Sequence, residues 1–465
     1  MPTIAPTSFN DPILAAPVPP AAPLSLFAYL RTIRQSFIAT LHEDIYRKPI
    51  IERKFLNVRS FILNDPAGIR HVLLDNVANY PKAPIEHRLL GPALGNGLIL
   101  SEGETWRAHR RIMAPAFDHR TNLRCASIMT DAALKLTRHW DSLRSGTSVE
   151  VSSAMMELTL EIISRSMFSA DSDTITGVVR EGSDRYQHAM MFGLLDFLPG
   201  IGHLVGLRKA RRGREMMQEF DRAFSQVYQA RTQDDSKASF NDLLERLISA
   251  RDEESGIAMT EKEIRDQVIT IFIAGHETTA IALMWTWYLL SQHPDHEARL
   301  HQELKSVLNG RTPSSDDLAK LPFTRMVIQE SMRLYPPAYS LAFRRAIQDD
   351  QICGKRVPKG SDVIILPWVL HRHRSHWDYP DRFDPYRFSP ELNAARDRLV
   401  YLPFGFGPRI CIGASFATTE AILVLATIAQ RYRLRLTQGF HVEPQAQFTL
   451  RAKYGMCMDI ERRRN

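Results

Sequence analysis

The sequence predicts a mainly α, α+β fold: a large helical body carrying small antiparallel sheets. Three observations carry this reading. Helical patterns recur between residues 105 and 334, and again after residue 413. Short strand-like runs come in pairs separated by turn residues, as at Gly354-Lys355 and Lys359-Gly360. Of the 465 residues, 44% are hydrophobic, which is ample for a large core. Length alone favours two or three domains. Yet the only Pro-rich stretch is the segment 1–30, and no linker divides the remainder, residues 31–465.

The elements follow in order. Lys54–Asn57 and Arg59–Leu63 read as a short hairpin. Asp65-Pro66 is an N-cap followed by Pro at N1, opening a helix toward Asp75. Ile85 to Leu100 is apolar and interrupted by Gly and Pro, so a packed loop is expected there. Helices are expected over Thr105–Arg111, Thr121–Leu143, Ser153–Phe168, Val178–Phe192 and Ala210–Ala230, with an apolar Gly-rich loop from Leu194 to Gly206. Thr260-Glu261-Lys262-Glu263 is a capping box that starts a long helix running to about Ser291. Two further helices are expected at Asp295–Leu308 and Phe323–Leu334, then a hairpin over Asp350–Pro367 and a last helix over Ala414–Arg431.

The formal net charge is +7, compatible with an anionic membrane, a nucleic acid or an acidic protein partner. No nucleic-acid motif accompanies it. Cys125, Cys353, Cys411 and Cys457 form no C-x-x-C pair, so neither a disulfide framework nor a zinc site is expected, and a reducing cytoplasm is the natural setting. Ile13 to Leu30 is apolar but broken by prolines, so it is read as neither signal peptide nor transmembrane anchor. Val268 to Leu290 is long enough to span a bilayer, but His276 and Glu277 at its middle would be costly in lipid, which favours a core helix.

Two stretches carry chemistry. The first is Phe404-Gly405-Phe406-Gly407-Pro408-Arg409-Ile410-Cys411-Ile412-Gly413. Gly407 and Gly413 permit tight turns and close approach to a flat ligand. The following helix and Arg409 favour thiolate over thiol at Cys411. Such a thiolate can be the axial ligand of a haem iron. A lone cysteine beside a glycine turn would otherwise read as buried and inert. The second stretch is Ala274-Gly275-His276-Glu277-Thr278-Thr279. A glycine, a buried acid and two threonines in one helical turn break several local rules at once, which points to function.

The first stretch resembles the haem signature of the cytochrome P450 family, F-x-x-G-x-R-x-C-x-G, at every fixed position. The second resembles the family's A/G-G-x-D/E-T-T turn. Glu330-Ser331-Met332-Arg333 resembles its E-x-x-R, Pro380-Asp381-Arg382-Phe383 its P-E-R-F, and Trp106 to Arg110 its W-x-x-x-R. The resemblance spans roughly Lys54 to Met458 and implies one cytochrome P450 haem domain, monomeric and of the soluble bacterial type. It implies haem b (iron protoporphyrin IX) on Cys411, with Phe404, Gly413, Ala274 and Gly275 against the ring. Gly275 would make room beside it. Trp106, Arg110 and Arg409 would hold propionates, and so would Arg344, or Arg345 given the spacing from Arg333. Thr278 would hydrogen-bond O2 and its reduced forms, and Glu277 would relay protons. Arg382 would join Glu330 and Arg333 in a buried ion network. The His371-Arg372-His373-Arg374 run is read as structural rather than metal-binding.

The implied reaction is monooxygenation of a hydrophobic small molecule, using electrons from NAD(P)H. The pocket is expected from Leu98, Ile99, Leu100, Ile271, Ala274, Thr278, Ala338, Tyr339 and Met456, with the Leu194–Gly206 region. Fatty acid, terpenoid, steroid and aromatic substrates all fit. A peroxygenase or isomerase would share the Cys411 motif, and a haem sensor would need no proton relay; the Glu277-Thr278 pair favours the monooxygenase. The chain ends soon after Tyr454–Met456, so the donor is expected to be a separate acidic protein: a ferredoxin with its reductase, or a flavodoxin.

Overall fold

A computed structural model describes residues 14–55, 58–169, 176–177, 201–233 and 242–463. Helices form at Leu26–Ile33 (α1), Pro66–Arg70 (α2), Pro84–Leu94 (α3), Gly103–Met113 (α4), His119–Arg124 (α5), Ala126–Asp141 (α6), Val151–Phe168 (α7) and Ile201–Gln233 (α8). They continue with Leu243–Ser249 (α9), Glu261–Gln292 (α10), Pro294–Leu308 (α11), Pro322–Leu334 (α12), Pro367–Leu370 (α13), Pro390–Ala395 (α14) and Ala414–Ala429 (α15).

The strands are Ile50–Phe55 (β1), Val58–Leu63 (β2), Ser148–Glu150 (β3), Ala342–Arg345 (β4), Asp350–Ile352 (β5), Lys355–Val357 (β6), Asp362–Ile365 (β7), Tyr432–Leu436 (β8), Pro444–Ala446 (β9), Leu450–Ala452 (β10) and Cys457–Arg462 (β11). They build sheets ordered β1-β2-β7-β4, β3-β11-β8, β9-β10 and β5-β6. Every pairing is antiparallel except β2 with β7, which is parallel. The predicted second hairpin is therefore divided. Gly354, at φ +73°, turns β5 onto β6, whereas β7 leaves to join β2 and β4.

The long helix α10 forms for the reasons its sequence gives. Thr260 and Glu263 complete a capping box at its start. It is buried nearly all round and lies along α7. It is the one described helix long and apolar enough to cross a membrane, and 78% of its apolar window is buried inside the fold. Pro294 then opens α11.

Three expectations change. Residues 84–94 are helical: Pro84 sits at N1, and Gly95, at φ +58°, ends the helix. Pro92 inside the helix masked the pattern, since it usually breaks one. Thr121–Leu143 divides at Cys125 into α5 and α6. Residues 201–206, expected as loop, open α8, while Val178–Phe192 and 194–200 lie outside the described residues.

The largest core cluster runs from Ile38 to Ile460 and gathers α6, α7, α10, α12 and α15. The Pro-rich start is tied to it. The Ala15 N–H donates to the Tyr288 hydroxyl at 3.0 Å, and the Tyr335 hydroxyl donates to the Ala15 carbonyl at 2.8 Å.

Candidate active site

Cys411 lies in the loop between Gly407–Arg409 and α15. Gly407 is obligatory there. Its φ is +73°, and a Cβ would fall 2.3 Å from the Leu73 carbonyl oxygen. Gly413 is different: its φ is −87°, and a Cβ would make only an ordinary 4.0 Å contact with the Cys411 sulfur. Its contribution is its N–H, which faces that sulfur. The Cys411 N–H donates to the Phe404 carbonyl at 2.9 Å, which fixes the loop.

Burial pushes the Cys411 thiol up, while the Gly413 N–H and the Arg110 charge pull it down. The nearby cation is thus Arg110, whose Nη1 donates to the Ile410 carbonyl at 2.9 Å. Arg409, expected in that role, turns away. It donates to the Ser101 carbonyl at 2.7 Å, pairs with Glu102 at 3.1 Å and lies 4.2 Å over the Trp106 ring.

A cavity of about 1180 Å³ opens over Cys411. Ala274, Gly275 and Thr278 of α10 border the same cavity. Thr278 donates back to the Ala274 carbonyl at 2.7 Å, and Thr279 to the Gly275 carbonyl at 3.1 Å. The His276 carbonyl accepts from Thr159 of α7 at 2.8 Å. Gly275 borders the cavity, and a Cβ on it would meet Ile163 of α7, another lining residue, at 3.5 Å.

Glu277 is buried and does not border the cavity. Its carboxylate accepts from Thr449 at 2.5 Å and pairs with Arg451 at 2.7 Å. Thr449 does border the cavity, so the acid reaches it through a neighbour on the turn before β10.

Helix α4 carries Trp106 and Arg110 to the cavity rim. His109 between them fastens the helix to α10, through Gln267 at 3.0 Å and Glu263 at 3.3 Å. Arg344 and Arg345 both border the cavity but differ in their partners. Arg345 forms a two-pronged pair with Asp362 at 2.8 and 3.0 Å. Arg344 is buried at the cavity, and its Nε has no hydrogen-bond partner among the described residues. An orphaned buried guanidinium nitrogen fits an anionic group that the protein does not itself supply.

Lys82, which sequence reasoning missed, also borders the cavity. Burial, then the charges of Arg409 and Arg344, push it down to about 7 against the pull of Glu86 and Glu102. A single lysine in a loop gives no sequence signal of this. Arg409 is likewise pushed down to about 10, first by burial. Three crowded cations at one rim, with a cysteine on the cavity floor, fit a propionate-bearing haem.

Leu98, Ile99, Ile271, Ala274, Thr278, Ala338, Tyr339 and Phe404 all border the cavity, as expected. Leu100 and Met456 do not; both are fully buried in core packing. The Met456 N–H is spent on Glu150 at 2.7 Å, and the residues at the cavity there are Gln447, Phe448 and Thr449. The register of β9–β10 decides this, and the sequence pattern does not reveal it.

Behind the Cys411 loop, Glu330 and Arg333 pair at 2.6 and 2.8 Å with no exposure. Arg382 gives Arg333 its carbonyl at 2.9 Å, and the Arg387 guanidinium lies 3.5 Å from Glu330. His371 accepts the Leu402 N–H at 2.8 Å, and Arg372 lies 3.7 Å over Trp368. The His371–Arg374 run is therefore built into the core, and no metal-ligand cluster occurs among the described residues.

The sequence profile described as "Cytochrome P450" matches residues 17–456. "Cyclooctatin synthase" of Streptomyces melanosporofaciens is 38% identical over 401 residues, covering 83% of each chain. "Cyclooctat-9-en-7-ol 5-monooxygenase" of the same organism is 32% identical, covering 87% of this chain and 85% of its own. "Putative cytochrome P450 132" of Mycobacterium tuberculosis is 33% identical, covering 90% of each. The crystal structure of the cytochrome P450DA heme domain superposes with a TM-score of 0.82 at 27% identity, covering 97% of this chain and 99% of its own. With the cysteine loop, the α10 turn and the cationic rim gathered round one cavity, these likenesses place the chain in the cytochrome P450 family, as a haem-dependent monooxygenase.

Proposed function

We propose that the chain oxidises an apolar small molecule held in the cavity, with haem b on Cys411 and electrons arriving from NAD(P)H through a ferredoxin and its reductase, or a flavodoxin. The observation that carries this is that Cys411 and Thr278 border one apolar-lined cavity. When bound, haem supplies the redox centre at which O2 is activated. Cys411 would hold its iron. Arg344, Arg409, Lys82 and Arg110 would neutralise its propionates, with Trp106 stacked under Arg409. Thr278, whose proton is donated to Ala274, keeps its oxygen lone pairs for a donor in the cavity. Glu277 would exchange protons with the cavity through the Thr449 hydroxyl.

The substrate we favour is carbon-rich with few oxygens, like the unsaturated alcohol in the name of one relative, cyclooctat-9-en-7-ol. Leu98, Ile99, Ile271 and Phe448 offer it mostly carbon surface. Exposed Arg107 and Arg124 lie on helices beside Cys411's loop and helix, and would meet an acidic donor. We read residues 31–465 as one haem domain, monomeric and cytoplasmic; a main core that gathers residues from Ile38 to Ile460 and four free cysteines support this.

The test is spectroscopic and chemical. Cys411→Ala or Cys411→His should abolish the thiolate-type spectrum of the reduced carbon monoxide complex. Apolar alcohols should shift the haem spectrum and yield products one oxygen heavier. Turnover with ferredoxin should fall as salt rises. A thiolate spectrum that survives Cys411→Ala would overturn the ligand assignment, and NAD(P)H-driven turnover without any donor would overturn the partner.

A further inference from the structure

Two polar side chains are buried in α10 just before its apolar run. Gln267 has no exposure and Asp266 3%, yet neither borders the cavity. A buried polar group is normally hydrogen-bonded, and both of these hold the chain that follows α3. The Asp266 carboxylate accepts the Asn96 N–H at 2.8 Å, and the Gln267 amide oxygen accepts the Leu98 N–H at 2.8 Å. The loop lies directly on the helix. A Cβ on Gly95 would fall 2.3 Å from the Asp266 carboxylate. One on Gly97 would fall 2.1 Å from the Thr270 hydroxyl and 2.5 Å from the Asp266 carbonyl oxygen. Only residues without a side chain let two backbones come this close. Leu98 and Ile99, next along the loop, border the cavity.

The Gln267 amide is held in one orientation. Its Nε2 donates to His109 Nδ1 of α4 at 3.0 Å, which aims the amide oxygen at Leu98. With Nδ1 accepting, His109 carries its proton on Nε2, which faces Glu263 at 3.3 Å. Both Gln267 bonds therefore leave α10, one for the loop and one for α4. Leucine at 267 would fill the same core position but would strand the Leu98 N–H and His109 Nδ1. Core filling does not account for the amide.

We infer that Gln267 and Asp266 are positioning residues for substrate selection: they latch the loop to α10 and so fix how far Leu98 and Ile99 reach into the cavity, without touching the substrate. The latch itself stands on the bonds and close approaches just described. Its part in selection rests on the reading of the cavity as the site of an apolar substrate. The wall of an apolar pocket selects by shape, so a displaced wall changes which carbon skeletons fit.

Hydrogen exchange of the haem-loaded full chain reads the latch. Residues 95–100 should be protected in the parent. Gln267→Leu should speed their exchange about ten-fold or more, the effect of leaving a buried donor unpaired, while the C-terminal half of α10 keeps its rates. Gln267→Glu keeps an oxygen for the Leu98 N–H and should restore protection. Gly97→Ala should loosen the same segment with every bonding group intact, and it carries the test should Gln267→Leu fail to take up haem. Two azoles that ligate iron read the wall. Gln267→Leu should weaken N-dodecylimidazole about ten-fold and leave imidazole, which lacks the chain, unmoved. Unchanged exchange at 95–100, exchange rising equally throughout the molecule, or no rescue by Gln267→Glu would overturn the latch. Equal losses for the two azoles would place the effect at the haem and overturn the selective role. A parent that binds N-dodecylimidazole no more tightly than imidazole would overturn that role through the cavity reading itself, with the latch still judged by exchange.

Discussion

Arg333→Met removes a guanidinium that has no exposure and is saturated with acceptors. Two of its bonds go to Glu330, at 2.6 and 2.8 Å. Three go to the carbonyls of His371, Pro380 and Arg382, at 2.8, 2.6 and 2.9 Å. The substitution leaves the Glu330 carboxylate buried, with the Asp384 N–H and the looser Arg387 contact near it. Breaking a buried pair from one side costs about 3–5 kcal/mol. The orphaned carbonyls keep the cost at the upper end. At roughly 2.1 cal/mol/K of unfolding entropy per residue, a chain of this length loses only about 1 °C per kcal/mol, so Tm is a blunt reader. Urea midpoints followed by circular dichroism are sharper. Glu330→Gln removes the charge from the other side, and in the double variant no buried charge is left unpaired. The two single costs should therefore exceed the double by at least about 2 kcal/mol. Additive costs, or an Arg333→Met cost under about 1 kcal/mol like that of an exposed pair, would refute the reasoning.

Thr278→Ala should still bind haem and substrate but divert electrons to hydrogen peroxide; unchanged coupling of electron use to product would remove its role. Glu277→Gln should slow turnover and alter the solvent isotope effect, and Thr449→Val should do the same. Arg344→Leu should weaken haem retention about ten-fold or more, whereas Arg345→Leu should cost about 0–1 kcal/mol of stability and leave haem retention alone, because Arg345 is committed to a partly exposed pair with Asp362. Timed transfer of haem to apomyoglobin distinguishes them, and equal losses would contradict the assignment. The haem-free chain should gain stability as pH rises from about 7 toward the ordinary lysine range near 10.5, because folded Lys82 releases its proton first. Below about 7 both states hold that proton and the slope vanishes. Lys82→Met should flatten this part of the urea-midpoint profile, and an unchanged slope would show that other groups carry it.

Much was legible in the residues alone. The capping box at Thr260 and Glu263, the N-cap at Asp65 and the apolar run of α10 are local effects, set by side chains within a few residues of one another. So was the cysteine loop, because Gly407 at φ +73° against Leu73 allows no other residue. The sequence thus determined the helical class, the cysteine and the α10 turn. Tertiary structure decided where the long side chains go. Arg409 and Arg110 flank the same loop, yet only packing against Ser101, Glu102 and Trp106 turns Arg409 away from the sulfur. Arg344 and Arg345 are neighbours in one strand and both border the cavity, yet only Arg345 is taken up by a carboxylate, Asp362. Glu277 is turned to Thr449 and Arg451, residues more than 170 positions away. Such choices depend on partners distant in sequence and on which groups burial leaves without water, and no local pattern encodes either.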